Sequence, residues 1–177
     1  MTPPTVVRAM NDTDETRRQA VGQRCTALIT QGECPTCRQF AHGDVFPDQA
    51  TFYEDADVTC LLEAFPRGSG HTVILARTHY ADIAAMPVTL GCHIMRVAHA
   101  VTNALKHLMG AEKVYMVTMC SGKLSHLHFQ LIPRLPGEMI GGRVFASPRG
   151  VLVHDAAFIA TLNAEVTRRL AEDTPLA

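Results

Sequence analysis

Apolar positions recur along the chain with the periods of helices and strands. Residues 89–109 carry apolar side chains at steps of three and four, which is typical of an amphipathic helix, and Gly110 follows as a C-terminal cap. An acidic first turn and apolar residues at helical spacing predict a helix over 12–30. Asp155 can cap a last helix that runs to about Glu172.

Runs rich in β-forming residues lie between these helices. Two predicted strands, 58–62 and 71–76, are separated by turn residues, and two more, 114–119 and 126–132, follow the long helix. We expect Pro133 to end the last strand. Strands mixed with one long helix, without regular alternation of strand and helix, predict an α+β domain. Its antiparallel sheet would carry one long helix and additional helices at the two termini.

The composition is that of one compact globular domain. The chain has 177 residues, of which 47% are hydrophobic and 19% are charged, and its formal net charge is −1. This charge argues against polymeric nucleic acid as a partner, because dedicated binders are usually basic. No apolar run reaches the ~20 residues of a membrane span, and the polar N-terminal segment lacks the apolar core of a signal peptide. We therefore expect a cytoplasmic protein without a membrane partner, whose six cysteines are thiols or metal ligands.

The segment 126–134, HLHFQLIPR, places polar side chains at alternate positions. On a strand, His126, His128 and Gln130 would share one face, and the apolar residues between them would share the other. A row of polar groups on a central strand is costly to bury without partners, so this face is expected to line a site. One imidazole could act as a nucleophile toward phosphorus, or both imidazoles could bind a metal ion.

A second candidate site is the C-x-x-C pair formed by Cys34 and Cys37 in CPTC. Two thiolates at this spacing can bind one metal ion from a tight turn, and zinc then needs two more ligands, which are commonly histidines. A redox-active dithiol is the main alternative, although the thioredoxin-like βαβ pattern that would support it is missing around the pair. Two inert thiols are the third possibility.

Together these segments resemble the histidine-triad family of nucleotide hydrolases and transferases. HLHFQLIPR resembles the active-site strand of that family, His-φ-His-φ-His-φ-φ, where φ is apolar, and CPTCRQF resembles the cysteine turn of many bacterial members. Residues 52–80 resemble the family's run that includes Gly-His and His-Tyr dipeptides. The resemblance implies a catalytic domain over 33–135, a helical extension over 1–32, and a C-terminal loop and helix over 136–177 packed on the same domain.

The family implies a role for each matching residue. His128, the middle histidine, is expected to be the nucleophile that takes a nucleotidyl group on phosphorus, and Glu63 is expected to hold the ribose hydroxyls, where Asp is usual. A structural zinc ion is expected on four residues, namely Cys34, Cys37, His79 and His126. Candidates for further substrate contacts are Ser121, Lys123 and Ser125. The family also implies a homodimer formed through the long helix and the sheet edge.

Gln130 stands where the third histidine of the triad is expected. The His-φ-His-φ-Gln variant resembles the galactose-1-phosphate uridylyltransferase and dinucleoside-tetraphosphate phosphorylase branches, which transfer the nucleotidyl group to a phosphate. A glutamine amide can donate a hydrogen bond to a phosphate oxygen but cannot gain a charge, and an anionic acceptor needs no general base. We therefore expect a nucleotidyltransferase or phosphorylase that acts on a nucleoside phosphate conjugate.

Three alternatives stay open at this point. The first is a hydrolase of dinucleoside polyphosphates or nucleoside phosphoramidates, in which water accepts the nucleotidyl group. The second is a nucleotide-binding module without turnover. The third is a zinc hydrolase in which His126 and His128 both bind a catalytic metal ion that keeps an open coordination position.

Overall fold

The computed structural model describes residues 7–120, 122, 124–141, 145 and 149–173. Along the chain the elements are β1 (Val7–Ala9), α1 (Asp12–Thr30), α2 (Pro35–His42), β2 (Ala50–Glu54), β3 (Val58–Leu62), β4 (Thr72–Ala76), a 3-10 turn (Ile83–Ala85), α3 (Val88–Met109), β5 (Lys113–Val117), β6 (His128–Arg134), β7 (Gly150–Leu152) and α4 (Ala156–Glu172). The predicted α+β class is confirmed. Within these described ranges, none of the helices is long and apolar enough to cross a membrane.

Five strands form one antiparallel sheet in the order β2-β3-β4-β6-β5. The central strands β3 and β4 are buried at every position. Helices α3 and α4 share the main core with one face of this sheet, through buried residues that include Ile94, Val97, Val101, Leu105, Leu127, Phe129, Leu131, Phe158 and Leu162. The predicted long helix therefore packs its apolar stripe on the sheet, and Gly110 ends it with a φ of 69°.

The opposite face of the sheet carries the polar side chains of β6. In the register of β4 and β6, Val73 lies opposite Gln130 and Leu75 lies opposite His128, so these four side chains share a face. Val73 and Leu75 form a smaller apolar cluster with Leu61 of β3, and Phe40 of α2 packs against it. The polar residues of β6 therefore lie beside this second apolar cluster on the same face of the sheet.

The boundaries of β6 differ from the sequence-based expectation at both ends. The strand begins at His128 rather than at residue 126, and it continues through Pro133 to Arg134. Pro133 is tolerated because β4 pairs with β6 only as far as Leu131, so beyond that point β6 has β5 alone as a neighbour. The sequence pattern also does not predict the edge strand β2.

A two-stranded ribbon of β1 and β7 joins the two ends of the chain to the loop that follows β3. The amide groups of Gly150 and Leu152 donate to the main-chain oxygens of Pro66 at 2.7 Å and Ala64 at 3.0 Å. Gly150 is needed here because a Cβ atom at this position would lie only 2.8 Å from the main-chain oxygen of Arg8. Strand β7 thus binds directly to the loop that carries the candidate ribose-binding residue, and β1 is joined to that loop through β7.

Candidate functional site

A cavity of about 240 Å³ lies against the polar face of the sheet. Its polar lining includes the three residues that the sequence analysis places at the reaction centre and at the ribose: His128, Gln130 and Glu63. Its apolar lining comes from the sheet, from helix α1 and from loops: Val21, Phe46, Pro47, Leu61, Phe65, Val73 and Leu75. The cavity is therefore one concave surface that joins apolar walls to a few polar groups, as small-molecule sites usually do.

Two helices outside the sheet hold the walls of this cavity. The side chain of Gln39 in α2 accepts hydrogen bonds from the amides of Val45 and Phe46, each at 2.9 Å, and so fixes the segment that enters the cavity. Arg17 of α1 pairs with Asp48 at 3.3 Å, and its guanidinium carbon lies 5.5 Å from the centre of the Phe65 ring. The N-terminal helix is thus part of the site. From the sequence alone, this helix is expected only to extend the catalytic domain.

The ring of His128 has one defined tautomer. Its Nδ1 atom lies 2.8 Å from the main-chain oxygen of His126. A carbonyl oxygen can only accept a hydrogen bond, so Nδ1 carries the proton and Nε2 keeps its lone pair in the neutral ring. His128 lines the cavity and is half-buried. Its free Nε2 lone pair is the one a nucleophile requires.

Glu63 lies just beyond β3, at the start of the loop held by the β1–β7 ribbon. Its carboxylate accepts a hydrogen bond from the amide of Phe65 at 3.3 Å, and its own amide donates to the main-chain oxygen of His71 at 2.9 Å. Burial raises the pKa of Glu63, and the positive charge of Arg149 is the largest of the effects that oppose this rise. The carboxyl group can accept hydrogen bonds from a ligand, which fits the predicted role toward ribose hydroxyls.

His71 is a further polar residue of the site, buried to 2% exposure behind the cavity. The amide of Arg67 donates to its Nδ1 atom at 3.2 Å, so the neutral ring carries its proton on Nε2. Burial, together with the charge of Arg149, lowers the pKa of His71 to about 4, while the nearby side chain of Gln130 acts in the opposite direction. The ring is therefore neutral at pH 7, beside the residue that departs from the triad.

The four predicted metal ligands come together at one point, with all their donor atoms within 4.8 Å of one another: Cys34, Cys37, His79 and His126. The Nδ1 atom of His126 lies 3.5 Å from Sγ of Cys34 and 3.5 Å from Sγ of Cys37. The Nδ1 atom of His79 lies 3.4 Å from Sγ of Cys37.

This donor set fits a tetrahedral zinc ion. With Zn–S bonds of about 2.3 Å and Zn–N bonds of about 2.0–2.1 Å, tetrahedral geometry separates sulfur and nitrogen by about 3.5 Å. The Nε2 atom of His126 lies 2.6 Å from the main-chain oxygen of Ala76 and must donate to it, which leaves the Nδ1 lone pair facing the two thiols. Two imidazoles beside the cysteine pair favour metal binding over a redox-active dithiol.

The remaining sequence-based assignments have different outcomes. Ser121 and Lys123 lie outside the described residues. Ser125 is half-buried beside His126, and it is not among the described residues that line the cavity. The metal-ligating group of the described chain does not include His128, so the geometry does not support a shared catalytic metal on His126 and His128.

The sequence is similar to a known protein family and to two uncharacterized proteins. The HIT domain family matches residues 47–137, which is about half of the chain. An uncharacterized HIT-like protein of Methanocaldococcus jannaschii is 30% identical over 90 residues, which cover 49% of this chain and 69% of that protein. An uncharacterized HIT-like protein of Borreliella burgdorferi is 26% identical over 95 residues, covering 50% and 68% of the two chains.

Solved structures show the same fold. A zinc-bound histidine triad family protein from Mycobacterium smegmatis matches with a TM-score of 0.60 and 18% identity, over 79% of this chain and 97% of that one. A hypothetical histidine triad nucleotide-binding protein from Sulfolobus tokodaii matches with a TM-score of 0.57 and 17% identity, over 78% and 93% of the two chains. The sequence match, the shared fold and the histidine-bearing strand agree, and the chain belongs to the HIT domain family.

Proposed function

We propose that this protein is a nucleotidyltransferase or phosphorylase that forms a covalent nucleotidyl intermediate on His128. The observation that carries the proposal is the hydrogen bond of 2.8 Å from Nδ1 of His128 to the main-chain oxygen of His126. It leaves the Nε2 lone pair free at the wall of a cavity whose lining of apolar side chains with a few polar groups suits a small molecule. The similar structure from Sulfolobus tokodaii is named as a nucleotide-binding protein, which supports a nucleotide as the ligand.

The nucleoside would lie in the cavity with its base among the apolar side chains. Phe46, Leu61 and Val73 offer apolar surface for a base, and Glu63 offers a carboxyl group for the two ribose hydroxyls. A ribose with both hydroxyls would then satisfy the acceptor capacity of Glu63, which is costly to leave without donors in a buried place. This arrangement would direct the α-phosphate toward His128.

The reaction would proceed in two displacements. In the first, Nε2 of His128 attacks the phosphorus atom, a nitrogen–phosphorus bond forms, and the bond to the leaving group breaks with its electron pair. The ring then carries a positive charge, which the main-chain oxygen of His126 stabilises through the Nδ1 proton. The side-chain amide of Gln130 can donate to a phosphate oxygen in both steps.

The second displacement returns the enzyme to its starting state. An oxygen of the acceptor attacks phosphorus, and His128 leaves with the electron pair of the nitrogen–phosphorus bond. A phosphate acceptor is already anionic and needs no base, whereas water must lose a proton. Gln130 cannot take that proton, which supports a phosphate acceptor over water.

We further propose that the Cys34, Cys37, His79 and His126 group holds a structural zinc ion. When bound, the ion would tie the N-terminal end of α2 to the segments before the 3-10 turn and before β6. His126 would bind the metal with its ring and hold His128 with its main-chain oxygen. The metal group and the nucleophile would thus be coupled through a single residue.

We also propose that the protein acts in the cytoplasm as a homodimer. Helix α3 supports the dimer, because it carries two large apolar side chains that are exposed in the single chain, Val88 at 81% and Met95 at 58%. The two residues are seven positions apart, which is about two helical turns, so they lie on one side of the helix and a second copy of the chain could cover both.

The decisive experiment mixes the purified protein with a panel of nucleoside phosphate conjugates and measures intact mass. A nucleotidyl adduct on the wild-type chain, missing in the His128→Ala variant, is the expected result. The adduct is then followed with inorganic phosphate, with a sugar phosphate, or with water alone. Decay in water as fast as with any phosphate acceptor would favour the hydrolase, and stable binding without an adduct would favour a binding module.

A further inference from the structure

A second concave surface lies along the loop after Glu63. It is next to the cavity lined by His128 and Gln130, which we call the nucleotide cavity. This cleft has a volume of about 550 Å³, and its lining includes the β1 strand and the residues Pro66, Arg67, Arg149 and Gly150. The nucleotide cavity uses the preceding residues of the same loop. The cleft is thus built mainly from the two terminal segments and lies next to the proposed reaction centre.

The described lining of the cleft is strongly basic. It contains three arginines, Arg8, Arg67 and Arg149, and no acidic residue. Arg8 is neutralised by Asp14, with which it makes hydrogen bonds of 2.5 and 2.9 Å. Among the carboxylate side chains of the chain, all of which are described, none lies within 4.0 Å of Arg149. The guanidinium group of Arg149 therefore carries a positive charge in the cleft that is not paired with a carboxylate.

Arg149 is held in a fixed position by one of its donors. Its Nη1 atom donates to the main-chain oxygen of Phe65 at 2.7 Å, and the amide of the next residue, Gly150, donates to Pro66 at 2.7 Å. An arginine has five N–H donors in a planar fork, so most of them stay available to a ligand. A positioned guanidinium is well suited to a phosphate group, which it can bind through two parallel hydrogen bonds.

The charge of Arg149 reaches the reaction centre. It opposes the rise that burial causes in the pKa of Glu63, and together with burial it lowers the pKa of His71 and the pKa of Arg67. Two neighbouring guanidinium groups repel each other, and an anion placed between them would remove this repulsion. Arg149 also donates to the main-chain oxygen of Phe65, a residue that lines the nucleotide cavity, so an anion bound to Arg149 would lie at the boundary between the cleft and that cavity.

We propose that Arg149, with Arg67 beside it, forms a phosphate-binding subsite in this cleft. The inference rests on the proposed function, because it assigns the ligand as a phosphate group that takes part in nucleotidyl transfer. That group is either the distal phosphate of the donor or the phosphate of the acceptor. In both cases the C-terminal segment, which lies outside the part matched by the HIT domain family, supplies a substrate-binding residue.

The direct test measures binding of inorganic phosphate and of tripolyphosphate to the full-length protein by calorimetry. We expect Arg149→Gln to weaken the affinity about tenfold or more, since a hydrogen bond to a charged group contributes ~1.5–3 kcal/mol. The matched control is Arg168→Gln on α4, where the arginine pairs with Glu165 and Glu172. His128→Ala should keep this phosphate binding.

A second, more conservative variant at the same position keeps the test valid if Arg149→Gln does not fold. Arg149→Lys keeps the charge but loses the two parallel hydrogen bonds, so its phosphate affinity should lie between those of the wild type and the Gln variant. If the Gln variant does not fold, the loss of affinity in the Lys variant decides the question. Unchanged phosphate affinity in every folded Arg149 variant would overturn the proposal.

Kinetic measurements identify the source of the phosphate. A slower formation of the His128 adduct in Arg149→Gln assigns the subsite to the donor, whereas slower discharge of the adduct by phosphate assigns it to the acceptor. If phosphate affinity falls in the variant but no adduct forms in any protein, the subsite is supported and the proposed transfer reaction is wrong. If the adduct forms and decays normally in a variant with unchanged affinity, only the subsite is wrong.

Discussion

The main-chain oxygen of His126 accepts a hydrogen bond from Nδ1 of His128 at 2.8 Å, while the ring of His126 lies among the candidate metal ligands. In the proposed function these two residues of one short segment have different tasks, His126 as a metal ligand and His128 as the nucleophile. The carbonyl group of His126 is the only group that fixes the His128 tautomer in the described structure. A structural metal ion on the ring of His126 would restrict the movement of this residue and would thereby help to keep His128 in the proposed reactive tautomer.

The first prediction concerns the metal. The purified protein should contain about one zinc ion per chain, because four ligands of suitable type and spacing converge. Cys34→Ser or Cys37→Ser should remove the metal and strongly lower the unfolding temperature, since zinc binding is coupled to folding. Elemental analysis and thermal unfolding measure both effects, and Cys92→Ser, an exposed cysteine on α3, is the matched control.

His128→Ala separates the structural metal from a catalytic one. This variant should keep its zinc, because His128 is outside the group of ligand atoms in the described chain. Loss of zinc in His128→Ala would instead make the residue a ligand and restore the zinc-hydrolase alternative. A folded wild-type protein without metal would contradict the zinc assignment altogether.

The main elements of the fold could be predicted from local patterns. The apolar stripe predicts α3 to within one residue of its start, and the alternation in 126–134 correctly assigns Leu127 and Phe129 to the core. Alternation alone puts His126 and His128 on one face, because it assumes a regular strand through both. The strand begins at His128, and His126, two residues earlier, turns its ring toward the cysteine pair.

The contribution of the terminal segments could not be predicted in this way. Strands β1 and β7 have three residues each, which is too short for a period to be recognised. Arg149 contacts a residue 84 positions earlier in the chain, and such a contact leaves no local signal. Only the family resemblance identifies His79 as a metal ligand, because no other proposed metal ligand lies near it in the sequence.

The second prediction tests the ribose contact. Glu63→Gln should weaken binding of ribonucleotides about 10- to 100-fold, because a hydrogen bond between a hydroxyl and a charged carboxylate contributes ~1.5–3 kcal/mol. Binding of 2′-deoxy analogues should change little, since they lack one of the two donors. Glu54→Gln, an exposed acid on β2 that pairs with Arg77, is the control. Equal losses for both sugars would mark Glu63 as a residue of the fold.

The third prediction concerns stability in mild acid. The pKa of His71 is about 4 in the folded protein, below its ordinary value of 6.5, because the ring is buried. The unfolded chain therefore binds the extra proton first, and the free energy of unfolding should fall as the pH drops from about 6.5 to about 4. By pH 5 this contribution should reach about 1–2 kcal/mol.

His71→Asn isolates this effect, because the amide cannot take up the proton and the metal ligands are unchanged. Urea unfolding at pH 7 and pH 5 should show a smaller loss of stability in the variant than in the wild type. The same loss in both proteins would assign the acid sensitivity to other groups and place the pKa of His71 near its ordinary value.

The last prediction tests the mechanism at Gln130. A histidine nucleophile divides the transfer into two displacements, so the enzyme should show ping-pong kinetics and a nucleotidyl adduct that can be isolated. The amide of Gln130 cannot take up a proton, and the Nδ1 lone pair of His71 already accepts a hydrogen bond from the amide of Arg67, so neither side chain offers a base to an attacking water. Discharge of the adduct by phosphate should therefore be faster than discharge by water.

Gln130→His introduces a group that can accept a proton where the amide cannot. Residue 130 lies opposite Val73 of the neighbouring strand β4, and its side chain is on the same face of the sheet as His128. The new ring would therefore enter the cavity and not the core. We expect the ratio of hydrolysis to phosphate transfer to rise, because the ring can act as a general base toward water, an effect that typically contributes about 10²–10⁴-fold. Gln130→Asn, which keeps the amide but shortens the side chain, should slow both reactions without changing their ratio. A ratio that is the same in the wild type and the histidine variant would show that residue 130 does not select the acceptor.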